Sequence, residues 1–195
     1  MNAAPLYEYL KKMVNIDDEA WKDLEQRLQH KTIRRKEKFV TEGKVCREVA
    51  FILNGSFRYY QTIDGKEITT FFSFEYNWVS TYNSFLKQQP SYVTVEATEK
   101  SEILTIQYND LQWLYKHHPS IELFGRYIAE YLVSCLEERL YSMLLKTPEQ
   151  RYIKAIEDNG EHIHRIPQHY IASFLGITPE SLSRIRKRRM QRILS

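Results

Sequence analysis

The 195-residue chain has little of what builds most specialised sites. Its two cysteines, Cys46 and Cys135, lie far apart and in no motif. That argues against a disulfide framework and favours a reducing, cytoplasmic setting. All six histidines (30, 117, 118, 162, 164 and 169) fall outside residues 31–116. The strand-rich part of the chain therefore has no imidazole for a catalytic metal, which argues against a cupin-type enzyme. Six glycines and six prolines exclude a low-complexity chain. No apolar run approaches the ~18 residues that span a bilayer. The first residues, "MNAAPLYEYLKKMVNIDDEAW", lack a basic start followed by an apolar core, so no secretory signal is expected. Neither a nucleophile motif nor a phosphate-cradling glycine loop occurs, and no enzyme activity, cofactor or metal is expected.

What is present is uneven. Residues 162–195 carry seven Lys or Arg against one acid, Glu180, while the whole chain is only +3. A mildly acidic body with a basic end is the asymmetry of a nucleic-acid binder.

The texture changes three times. Residues 5–30 read as helix, with Asp17 able to cap the segment containing Trp21, Leu24 and Leu28. From Thr32 to Ile106 come short runs rich in Val, Ile, Phe, Tyr and Thr. Asn54-Gly55 and Asp64-Gly65 both favour two-residue hairpin turns, so an antiparallel meander is expected there. Eight or so short strands in about 75 residues imply a roll or barrel. From Asp110 the chain is helical again. In "PSIELFGRYIAEYLVSCLEERLYSMLLK", Ile121, Phe124, Ile128, Tyr131 and Cys135 form one apolar stripe, and Leu132, Leu136, Leu140, Met143 and Leu144 a second. One stripe can pack on the roll. A helix with two apolar faces needs another partner, and a second copy is the simplest. The dimer contact is assigned to Ile121, Phe124, Ile128, Tyr131, Leu132 and Cys135.

After Pro148, "PEQRYIKAIEDNG" reads as a helix, "HIHRI" as an extended piece, and "PQHYIASFLG" and "TPESLSRIRKRRMQRIL" as two helices joined at Gly176-Ile177. That is a helix-turn-helix, whose second helix enters the DNA major groove. Ile171, Ala172, Leu175, Ile177, Leu182 and Ile185 fit its inside. Glu180, Ser181 and Arg184 are left outward to read bases, since Arg bonds guanine bidentately and Glu accepts from cytosine. Thr178, Lys187, Arg188, Arg189, Arg192 and His169 are the phosphate candidates.

This order resembles the Crp/Fnr family of bacterial transcription regulators over almost the whole chain. "IPQHYIASFLGITPESLSRIRK" is similar to the family's DNA-reading motif, in which a Glu and an Arg four residues apart read bases, here Glu180 and Arg184. The resemblance implies an α+β chain in three parts. They are an antiparallel β-roll of jelly-roll type (1–118), a long dimerisation helix (119–147) and a winged-type helix-turn-helix (148–195). It implies a homodimer on double-stranded DNA with an inverted-repeat operator, and leaves room for RNA polymerase and an unknown effector. Two departures stand out. The family's Arg before the reading Glu is Pro179 here. The Gly-Glu and Arg-Ser/Thr pairs that hold cyclic AMP fall on Ser80-Thr81 and Ser91-Tyr92, and the long helix offers Leu136 and Glu137 to the base. These six residues are the candidate effector pocket, with neither the carboxylate nor the cation that cyclic AMP needs. The four cysteines of an iron–sulfur sensor are also missing. The alternative is a ligand-binding or cupin-like roll with a degenerate DNA-binding helix.

Overall fold

The computed structural model describes residues 2–194, with side chains through Gln191. The helical stretch read over 5–30 is two helices, α1 (Ala4–Lys11) and α2 (Asp18–Arg27). They part at Asp17, whose extended backbone (φ −82°, ψ 169°) cannot continue a helix and whose Oδ1 accepts the Ala20 N–H at 2.8 Å. Leu6, Leu10, Ala20 and Leu24 bury the inner faces of the pair.

Eight strands follow: β1 (Gln29–Ile33), β2 (Lys38–Val40), β3 (Glu48–Asn54), β4 (Phe57–Ile63), β5 (Lys66–Ser73), β6 (Trp78–Val79), β7 (Thr94–Ala97) and β8 (Ser101–Gln107). They form two four-stranded antiparallel sheets, ordered β1-β8-β3-β6 and β2-β7-β4-β5. Phe51, Phe57, Val95, Ile103 and Leu104 are fully buried in the core that the two sheets share with the flanking helices. This is the expected roll.

The two turn signals behave differently. Asp64 (φ 49°) and Gly65 (φ 74°) join β4 to β5 as a two-residue hairpin with Ile63 opposite Lys66. Asn54-Gly55 is no hairpin, because β3 and β4 lie in different sheets. Only Gly55 has positive φ there (104°), and a Cβ on it would meet the Ser101 side chain and backbone at 2.2–2.7 Å. The chain crosses between sheets at a place where only glycine fits. A short helix not read from the sequence, α3 (Tyr82–Lys87), separates β6 from β7 and buries Phe85.

Helices α4 (Tyr108–His117) and α5 (Pro119–Leu145) come next, and Pro119 starts α5. The two halves of α5 differ. Ile121 and Phe124 are buried in the core of the chain's own roll, with Ile128 packed against it. Each such burial is worth about 1.5–3 kcal/mol, which commits this end of α5 to the roll. These residues are thus taken within one chain and do not form an open dimer face. The open face is further along: Val133, Leu136, Leu140 and Leu144 are 55–70% exposed. No helix among the described residues is long and apolar enough to cross a membrane.

The C-terminal head is α6 (Pro148–Asn159), a 3₁₀ turn (Gly160–Arg165), α7 (Gln168–Leu175) and α8 (Pro179–Leu194). A full capping box between Thr147 and Gln150 opens α6. The piece expected to be extended is the 3₁₀ turn, which places Ile163 and Ile166 in the head core. No strand follows β8 among the described residues, so the helix-turn-helix has no wing strands.

Candidate nucleic-acid interface and the roll–head seam

Helix α7 ends at Gly176, whose φ of 67° lets its N–H and that of Ile177 return to the last turn of α7. Ala172, Leu175, Leu182 and Ile185 are buried between α7 and α8. These inner positions coincide with those read from the sequence, and they turn the opposite side of α8 outward. Thr178 caps α8, its hydroxyl accepting the Ser181 N–H at 3.3 Å. The Ser181 hydroxyl accepts from Thr178 Oγ1 (3.2 Å) and Arg184 Nη2 (3.1 Å). Glu180 and Arg184 are exposed one turn apart, about 6 Å along the axis. The Glu180 carboxyl is held below its ordinary pKa by its own N–H, then the Thr178 hydroxyl and Arg184. It is therefore an acceptor at neutral pH.

Ser181, Arg184, Lys187 and Arg188 line one trough along α8. Arg189 departs from this strip. It is half-buried, with Nη1 enclosed and without a hydrogen-bond partner among the described residues. His169 is exposed on α7, its ring beside Tyr170. The Arg192 side chain lies outside the described residues.

The head does not hang free. It packs on β4 and β5, and its core includes Phe72 and Phe74 of the roll. Arg58 of β4 is the centre of this seam. Its side chain is 1% exposed, pairs with Glu67 (2.6 Å) and Glu96 (3.5 Å), and lies over the rings of Tyr60 (4.0 Å) and Tyr170 of α7 (3.6 Å). Burial pushes the Glu96 carboxyl up, partly offset by Arg58. Ser173 of α7 accepts the Thr69 N–H (2.9 Å) and donates to the Glu67 carbonyl (3.1 Å). At the other end, Arg165 grips Glu75 with two bonds of 2.7 and 2.6 Å, and Glu75 also accepts the Gly55 N–H at 2.9 Å. Burial alone would raise the Glu75 pKa. Arg165 and the Gly55 N–H outweigh it and hold the group at about 2. His162 faces the same carboxylate at 3.1 Å, so this histidine contributes to the seam.

Sequence reasoning missed the whole seam. Its one visible signal is Arg58, a cation inside the aromatic run "SFRYYQTI".

The six residues of the candidate effector pocket differ widely in exposure. Thr81 and Ser91 are buried, and the Ser91 hydroxyl donates to the Val93 carbonyl at 2.8 Å. Tyr92 is 72% exposed, and Leu136 and Glu137 lie on the open side of α5. The roll interior is packed with rings instead, Phe39 on Phe57, Tyr59 on Phe71 and Phe85 on Tyr108, with centroids 5.2–6.3 Å apart.

Comparison with known proteins agrees with this architecture. Residues 30–118 match the family model of the cyclic nucleotide-binding domain. Curated proteins give no match by sequence. Among solved structures, FixK2 from Bradyrhizobium japonicum superposes with a TM-score of 0.74 at 14% identity, over 85% of each chain. A regulator assigned to the Crp/Fnr family from Eubacterium rectale gives 0.69 at 15%, over 90% of this chain and 85% of that one. A mutant of CooA from Carboxydothermus hydrogenoformans gives 0.67 at 18%, over 86% and 78%. The chain is a roll-and-helix protein. Residues 30–118 are similar to the cyclic nucleotide-binding domain, and the chain as a whole shares its fold with these three structures.

Proposed function

We propose that the protein is a sequence-specific DNA-binding transcription regulator of the Crp/Fnr type, not an enzyme, acting as a homodimer on an inverted-repeat operator. The observation that carries this reading is the outward face of α8, where Glu180 and Arg184 stand exposed beside Lys187 and Arg188 on a well-packed helix-turn-helix. A stray basic helix would have no use for the acid. The open apolar strip Val133, Leu136, Leu140 and Leu144 on α5 supplies the surface for a second copy. Two heads so paired would address half-sites about one helical turn apart, ~34 Å. RNA polymerase is the further partner this role calls for.

The test is selection of binding sites from a random duplex pool with the purified full chain and no added ligand. Enrichment of an inverted repeat supports the reading. If only salt-sensitive background binding appears, with or without metabolite extract, the reading is wrong. On the selected site, Arg184→Ala costs roughly 1–3 kcal/mol and relaxes preference at one base pair, whereas Lys187→Ala weakens all sequences alike and lowers the salt slope by about one. Identical behaviour of the two variants would remove this division of labour.

A further inference from the structure

Between α5, α6, the end of α7 and the β5–β6 segment the structure leaves a cleft of about 390 Å³. That volume suits a small organic ligand. It lies apart from Ser80-Thr81 and Ser91-Tyr92, none of which lines it. Its surface is of two kinds. Phe74, Trp78 and Tyr131 supply rings, and Arg139 and Arg151 supply guanidiniums. Lys154 is also present, but Asp158 (2.5 Å) and Glu138 (3.4 Å) neutralise it.

The two arginines are not neutralised. Among the described residues neither has a carboxylate within ion-pair distance. Arg139 donates to the Phe174 carbonyl, and Arg151 to those of Leu175 (3.0 Å) and Lys146 (2.9 Å). Each guanidinium has five N–H donors. Arg139 Nη1 and Arg151 Nη2 have no hydrogen-bond partner among the described residues. Burial, and then the neighbouring charge of Arg151, pull Arg139 down to about 10, which still leaves it a cation at neutral pH. Two like charges crowded in one half-buried cleft call for an anion, and planar guanidinium forks match the oxygens of a carboxylate or phosphate. The end of α7 takes one bond from each arginine, at the Phe174 and Leu175 carbonyls, and Arg139 also lies over the Phe174 ring (3.8 Å). Carbonyls and a ring satisfy donors but leave both positive charges without a counter-anion.

We propose that this cleft binds a flat aromatic metabolite carrying a carboxylate or phosphate, with the anion on Arg139 and Arg151 and the ring against Trp78 and Tyr131. A ligand there touches the roll, α5 and the end of α7 together, so its arrival is felt by the helix-turn-helix. The site does not rest on DNA binding, and its test contains no DNA.

The probe is 8-anilinonaphthalene-1-sulfonate, whose sulfonate stands in for the anion, titrated into the purified full chain by fluorescence. Saturable binding of one probe per chain is expected. Phenyl phosphate or benzoate should displace it, the more effective of the two telling which anion the site prefers. Arg139→Gln with Arg151→Gln should weaken binding at least tenfold, while Arg126→Gln, an exposed position on the same helix, leaves it unchanged. Cys135 lines the cleft and Cys46 is buried, so alkylation by iodoacetamide reads the site in the unmodified protein. Bound probe should slow Cys135 alkylation at least tenfold. That measurement decides the matter even where the double variant does not fold. Unsaturable binding, failure of both competitors, indifference to a folded double variant, or an unprotected Cys135 would each overturn the proposal.

Discussion

The interior of the roll and the seam between roll and head treat charge in opposite ways. Inside the roll, rings pack on rings, and the positions expected from the sequence to meet a cyclic nucleotide offer Thr81 and Ser91, both buried and neither charged. At the seam, Arg58 and Glu96 are buried as a pair, and the exposed Arg165 grips the partly buried Glu75. A dry aromatic interior holds its shape through volume and tolerates small changes. A buried ion pair tolerates no loss of one partner, because the other is left charged without compensation. The difference points to the seam as the place where the protein's two halves are coupled, and it can be broken from either side.

The largest effect is expected at Arg58. Arg58→Ala leaves Glu96 in the seam without its cation and removes the group held between Tyr60 and Tyr170. Loss of one member of such a buried pair costs about 3–5 kcal/mol, to be read as a fall in the urea midpoint. A change within ordinary surface scatter, about 0.5 kcal/mol, would show that the seam does not hold the head.

A smaller effect comes through pH. The Glu75 carboxyl is depressed to about 2 in the folded chain from an ordinary 4.5, so its contribution is complete above pH 4.5 and is lost as pH falls toward 2. Urea stability should decline across that window, and Glu75→Gln should flatten the decline while lowering stability at neutral pH. An equal acid slope in both proteins would mean that Arg165 and Glu75 do not fasten the head.

The seam was also the part that sequence hid. Asp17 as a cap, Asp64-Gly65 as a hairpin and Gly176 as the end of α7 were legible because each is decided by a few neighbouring residues. Asn54-Gly55 carried the same local signal as Asp64-Gly65, but the strands on either side find partners far away in different sheets. The piece "HIHRI" (162–166) read as extended, whereas residues Gly160–Arg165 form a 3₁₀ turn, whose three-residue repeat puts Ile163 and Ile166 on one side. Two apolar stripes were visible on α5, yet which of them the roll would claim is a tertiary fact, and the roll took Ile121 and Phe124. The partners of Arg58 lie at 67, 96 and 170, and no local pattern links them. The reading face of α8 was accessible for the opposite reason, since one helix and its cap present Glu180, Ser181 and Arg184 together.

The smallest expected effect is none at all. Cyclic AMP and cyclic GMP at micromolar concentration should give no heat in a calorimetric titration, although residues 30–118 match the cyclic nucleotide-binding family. The family match records a fold, and the fold supplies a roll with a short helix, α3, between Ser80-Thr81 and Ser91-Tyr92. Affinity for the phosphate needs a cation at that helix, because removing a full negative charge from water without one costs several kcal/mol. Arg58, the cation buried in β4, is already paired with two carboxylates and pressed between two rings on the side of the head. Moving it to the interior would dismantle the seam. A micromolar constant would therefore mean that the seam gives up Arg58 when ligand arrives, and Arg58→Ala would then abolish binding; a silent titration keeps the two regions separate in role as well as in chemistry.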